Sequence, residues 1–140
     1  MARILAIDYG KKQVGIAVTD PGQIICTPLI TIPKKNLLSF LVEYEKKEKL
    51  ECIVLGLPKH TYNKIGDIEQ GIQVYIVRIN EALPHVPIKR VDERFTSMIA
   101  LRALNEMGYK KKKAKEQGMI DKISASLILQ TYLELKQLNH

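Results

Sequence analysis

The 140-residue chain is 46% hydrophobic and 26% charged, enough apolar material for one domain around one core and too much for a disordered tail. Its 22 Lys and Arg against 15 Asp and Glu leave a net charge of +7, a balance that draws polyanions to the surface. No apolar run approaches the ~20 residues of a membrane span, and the opening stretch is cut by Asp8 with no small-residue cleavage site after it, so a cytoplasmic protein without a membrane partner is expected.

In chain order, Arg3 to Tyr9 reads as a buried strand, Gly10 to Gln13 as a turn and Val14 to Thr19 as the returning strand of a hairpin. Asp20-Pro21-Gly22 is a second turn signal, followed by a strand from Ile24 to Ile32 that Pro28 assigns to a sheet edge, because proline donates nothing to a ladder. Leu37, Leu38, Leu41 and Val42 then follow helical spacing with Glu43 and Lys46 on the other face. The wholly apolar run Cys52 to Leu57 has the character of a parallel strand buried on both faces. After a polar loop from Pro58 to Gly66, the residues Ile68, Ile72, Tyr75, Ile76 and Ile79 define a second amphipathic helix starting at Asp67. Ile88 to Val91 is a fifth strand, Thr96 or Ser97 caps a third helix ending at Met107, and a lysine-rich connector leads to a last helix from Ile120 to Leu138. The expected fold is α/β: a five-stranded mixed sheet, three strands antiparallel and the later ones parallel, flanked by helices in a single domain spanning 1–140.

The cysteines Cys26 and Cys52 fall in strand-like runs without CxxC spacing and read as core thiols of a reducing compartment. His60, His85 and His140 have no ligand spacing, so a structural zinc site has no basis.

Three carboxylates carry the chemistry. Asp8 ends a strand otherwise committed to burial, where a charge needs an ion partner or a metal; Lys11 is the bland partner, and Gly10 allows close approach of a phosphate. Asp92 and Glu93 close the fifth strand, and side-chain alternation sends them to opposite faces, so only one of them faces a shared site. Asp121 opens the last helix, where the helix dipole alone would favour it, yet it shares an inward stripe with Ala125 and Ile128. Lys59 and His60 lie on the loop after the fourth strand and read as an ordinary turn or as backbone contacts. The run Lys110 to Lys113 precedes Asp121 and reads as a solvated face or as a cradle for nucleic-acid phosphates. Six Tyr, two Phe and no Trp give base stacking little support.

Taken together, Asp8-Tyr-Gly10, Val14-Gly-Ile-Ala-Val-Thr-Asp20, Gly56-Leu-Pro58, Asp92-Glu-Arg-Phe-Thr96 and Asp121 with Ile128-Leu-Gln130 make the chain resemble the YqgF family, the Holliday-junction-resolvase-like nucleases of pre-16S ribosomal RNA, almost from end to end. The resemblance implies a ribonuclease-H-like fold and a hydrolase in ribosome biogenesis. It implies that Asp8, Glu93 and Asp121 are the catalytic acids and bind Mg²⁺ or Mn²⁺, with Gly66 and Gly71 standing for a glycine-rich loop after the fourth strand. Lys11, Lys12, Arg94, Lys111, Lys112 and Lys113 are the expected nucleic-acid contacts. Precursor rRNA is the expected partner and branched DNA the alternative. A non-catalytic assembly factor and a small phosphotransferase related to sugar kinases are the competing classes; the chain is short for two lobes closing on ATP.

Overall fold

The apolar run Arg3–Tyr9 forms β1, the middle strand of a five-stranded sheet with order β3-β2-β1-β4-β5. The computed structural model describes residues 2–10, 12–57, 65–92 and 117–138, with 65–67 and 117–121 described by backbone alone. β2 (Gln13–Thr19) and β3 (Cys26–Pro33) follow antiparallel; a 3₁₀ turn (Lys34–Asn36) leads into α1 (Leu37–Lys47). β4 (Leu50–Leu57) returns parallel to β1, α2 (Ile65–Ala82) crosses over, β5 (Ile88–Asp92) adds parallel to β4, and α3 (Gln117–Leu138) closes the described chain.

Strand alternation sorts the core into two layers. Leu5, Ile7, Val14, Ile16, Val18, Ile53 and Leu55 point to one face and pack with Leu37 and Leu41 of α1 and Ile72 and Ile79 of α2. Ile4, Ala6, Ala17, Cys52, Val54 and Val91 point to the other and pack with Ala125, Ile128 and Leu129 of α3. The alanines matter: Ala6, Ala17 and Ala125 are fully buried, and their small side chains let α3 lie close on the sheet. β3 is the edge strand, as Pro28 requires.

Two boundaries differ from the sequence reading. The described part of α2 opens at Ile65, so Gly66 and Gly71 belong to a helix and not to a glycine-rich loop. The described part of α3 opens at Gln117, ahead of the expected Ile120, so Asp121 lies inside the helix. The expected helix from Thr96 or Ser97 to Met107 and most of the lysine connector lie outside the described residues.

The β1–β2 turn is tight. Gly10 N–H donates to the Gln13 carbonyl at 3.0 Å, and a Cβ at Gly10 would sit 2.5 Å from that same oxygen. Gly10→Ala must therefore reopen the turn. A loss of about 1–3 kcal/mol is expected, read as a lowered midpoint in urea unfolding; an unchanged midpoint would show the turn to be tolerant. In the next turn the Asp20 carboxylate accepts from the Ile24 and Ile25 amides at 2.8 and 2.7 Å, which holds the Asp20 carboxyl below its ordinary value. Gln23 takes the left-handed conformation there, with φ of 58°.

The thiols behave as core groups. Cys26 and Cys52 are both free, and burial pushes the Cys26 thiol up to about 11, so little thiolate exists near neutral pH. No described helix is long and apolar enough to cross a membrane.

Candidate active site

Asp8 continues the row Ile4, Ala6 on the α3 side of β1 and is half-buried at the strand's C-terminal end. Its cross-strand partner on β2 is Gly15. On the other side the β1–β4 register runs through Ile7 and Leu55, and the next residue of β4 is Gly56. The carboxylate is thus flanked by two positions without side chains. A carboxylate so placed is a suitable donor to a hard ion.

The direction of α3 brings its N-terminal half to the same edge. Near the helix's far end Lys136 pairs with Glu51 at 3.0 Å, and the Tyr132 hydroxyl lies 3.9 Å from the Cys52 sulfur, so α3 runs antiparallel to β4. From position 132 back to 121 the helix rises about 16 Å at 1.5 Å per residue. From Cys52 to Gly56 a strand advances about 13 Å. The backbone at 121 is therefore level with the ends of β1 and β4, one turn before the buried Ala125.

The Asp92 alternative is weakened by register. Val91 packs in the α3-side core, whereas Ile88 packs with the α1–α2 side, and Arg90 reaches Glu69 of α2. Asp92 shares the parity of Ile88 and Arg90 and so faces α2, away from Asp8. Glu93, Arg94, Lys11, Lys59, His60, Lys111, Lys112 and Lys113 lie outside the described residues, and Asp121 is described by backbone alone. Lys12 is exposed on the turn after Asp8. Among the described side chains no group of three or more His, Cys, Asp or Glu converges on a metal position.

Sequence reasoning missed the clamp that holds this edge. Arg90 donates to the Leu55 and Gly56 carbonyls at 3.4 and 3.0 Å and makes paired contacts to Glu69 at 2.8 and 3.1 Å. One guanidinium thereby fixes the end of β4 to α2, the kind of forked geometry lysine cannot supply. A charged residue alternating outward on a short strand gave the only hint. The Arg90 hydrogen bond, helped by Gln73, holds the Glu69 carboxyl below its ordinary value of 4.5. A depressed carboxylate contributes stability that is complete above its unfolded value and lost as pH falls through the folded one. Glu69→Gln is therefore expected to lower the melting temperature at pH 7 and to make no difference well below pH 4.5; an equal deficit at both pH values would contradict the ion pair's role.

The chain is similar to known proteins over almost its whole length. The family model described as RuvX, Holliday junction resolvase, matches residues 2–135. The chain belongs to the RuvX family. This is the family that the sequence resemblance pointed to. RuvX relatives include a protein from Bacteroides fragilis, 46% identical over 138 residues, covering 99% of this chain and 100% of the relative. Another, from Porphyromonas gingivalis, is 45% identical over 134 residues, covering 96% and 97%. Both bear the name "Putative pre-16S rRNA nuclease". Among solved structures, T. thermophilus RuvC in complex with Holliday junction substrate superposes with a TM-score of 0.61 at 12% identity, covering 96% of each chain. The Fowlpox virus resolvase bound to Holliday junction DNA gives 0.50 at 12% identity, covering 94% and 97%. These two likenesses establish the fold, ribonuclease-H-like with a mixed five-stranded sheet.

Proposed function

We propose that this RuvX protein is a metal-dependent nuclease that cleaves phosphodiester bonds of precursor 16S rRNA, acting as one domain in the cytoplasm. The observation that carries the reading is the half-buried Asp8 at the end of β1, between Gly15 and Gly56, on the face where α3 brings residue 121 level with it. The name borne by the relatives supplies the substrate.

Asp8, Glu93 and Asp121 are the proposed ligands of Mg²⁺ or Mn²⁺. Their oxygen donors suit either hard cation. A divalent ion bound there would supply Lewis acidity toward the attacking water and the phosphate. The protein's own part is placement. Asp8 is fixed by the central strand, so its oxygens keep one direction through the reaction. Lys11, Lys12, Arg94 and the run Lys111, Lys112 and Lys113 hold backbone phosphates, a role that needs charge and carries no sequence information. Glu93 is preferred to Asp92 because Asp92 faces α2.

The test is incubation with precursor 16S rRNA and Mn²⁺ followed by mapping of product 5′ ends. A discrete, chelator-sensitive new end is expected. RNA that is bound yet stays intact at every metal concentration would leave an assembly factor in place of a nuclease. The family model's own description favours one second reading, cleavage of branched DNA; a four-way junction cut faster than the rRNA precursor would install it.

A further inference from the structure

On the opposite face of the same sheet edge, immediately after Asp8, stands a cluster with no part in the metal site. Tyr9 turns to the α1–α2 side and packs at the margin of that core. Its ring meets Tyr75 of α2 with centroids 5.6 Å apart and planes tilted by 56°. Lys34 Nζ lies 5.3 Å from the Tyr9 centroid, and the Arg78 guanidinium 5.4 Å from that of Tyr75. Two rings thus carry two cations in a row: Lys34, Tyr9, Tyr75, Arg78.

Backbone ties fix this row to the turn beside Asp8. The Tyr75 hydroxyl donates to the Lys34 carbonyl at 3.3 Å, and the Lys34 amide donates to the Lys12 carbonyl at 2.9 Å. Gly71 makes the close approach of α2 possible, since a Cβ there would sit 2.7 Å from the Tyr9 hydroxyl. Three segments distant in sequence are therefore tied together, with Lys34 and Arg78 on the two rings and the Lys12 backbone bonded to that of Lys34.

Charge balance sets these three cations apart from the paired ones on the surface. Arg3, Lys46, Lys49, Arg90 and Lys136 each have a carboxylate within ion-pair distance. Lys12, Lys34 and Arg78 have no carboxylate partner among the described residues, and neither has Lys35 beside them. Cation–π contact leaves the charge in place while restricting the side chain. A positive row held on two rings, with no carboxylate partner among the described residues, suits a polyanion backbone, because the ordering cost is met before binding.

We propose that Lys34 and Arg78, held on the Tyr9–Tyr75 pair, form with the neighbouring exposed Lys12 a phosphate-binding subsite beside Asp8 that seats the nucleic-acid strand flanking the cleaved bond. The proposal rests on the nuclease reading and adds Lys34 and Arg78 to the residues that touch substrate. The rings serve as scaffolds for the cations, so the subsite reads backbone charge and not base identity.

The experiment is fluorescence-anisotropy titration of a short fluorescein-labelled single-stranded RNA in EDTA, across a salt series, for four proteins. These are the parent, Lys34→Gln/Arg78→Gln, Lys46→Gln/Lys47→Gln at the opposite end of the sheet, and Gly71→Ala. The Lys34/Arg78 double variant is expected to bind about tenfold more weakly at low salt, and its log Kd against log salt slope should fall by about 1.4, or about 0.7 for each lost single-strand contact. The Lys46/Lys47 variant, which loses the same net charge, should keep the parent's slope. Gly71→Ala, by displacing Tyr9 without altering charge, should weaken binding severalfold. The proposal is overturned if the Lys34/Arg78 variant keeps the parent's affinity and slope, or if the Lys46/Lys47 variant loses as much. A parent that cleaves precursor rRNA with an unaffected double variant sinks the subsite alone; a parent that binds no RNA sinks the nuclease reading with it.

Discussion

Asp8→Asn is expected to reduce metal-dependent cleavage at least about 100-fold, the upper end of what the loss of even an outer partner of a metal ligand costs, while RNA affinity in EDTA stays within about twofold. The substitution keeps the side chain's shape and removes its charge. Its two flanking positions on the neighbouring strands, Gly15 and Gly56, carry no side chains. A neutral amide is a poor donor to a hard dication. Single-turnover cleavage under saturating protein isolates the effect from binding. Retention of the parent rate by a rigorously purified variant would remove Asp8 from the mechanism.

The second large effect is on stability. Leu129 is fully buried under α3 against Ile4, Ala6 and Val54. Leu129→Ala should cost about 2–5 kcal/mol, and the upper half of that range is expected for a physical reason. α3 meets the sheet in a core that holds the buried alanines Ala6, Ala17 and Ala125, and a close-packed core relaxes only in part around a cavity. Chemical denaturation reads the loss directly. Because α3 also carries residue 121, cleavage should fall in the variant at temperatures where circular dichroism shows it folded. A loss below about 1 kcal/mol, or full activity with that loss, would mean that α3 is held elsewhere.

The strands are legible in the sequence because their chemistry is local. Ile4 to Ile7 and Cys52 to Leu57 are apolar runs ended by Asp8 and by Gly56-Leu-Pro58, and Pro28 marks the edge strand through the amide proton it lacks. Helix starts are less legible. Ile65-Gly66 and Gln117-Gly118 look like loop because glycine is a poor helix former, yet α2 and α3 include them; packing of Ile72 and Ile128 on the sheet outweighs propensity at the ends. In the candidate site, the place of Asp8 at the end of a buried strand is readable from the apolar run before it. The choice between Asp92 and Glu93 needs the face of Val91, which depends on the β4–β5 register and not on sequence spacing. The Arg90–Glu69 clamp and the Lys34–Tyr9–Tyr75–Arg78 row join residues far apart in the chain, and no local pattern announces such contacts.

The central claim is that Asp8, Glu93 and Asp121 share one metal site, and Mn²⁺ binding measures it without reference to substrate. Electron paramagnetic resonance titration should show saturable Mn²⁺ binding by the parent and by Asp92→Asn, and a binding constant weakened at least about tenfold in each of Asp8→Asn, Glu93→Gln and Asp121→Asn. Parent-like Mn²⁺ binding by all three of those variants would contradict the account, and its loss in Asp92→Asn alone would move the second ligand by one residue.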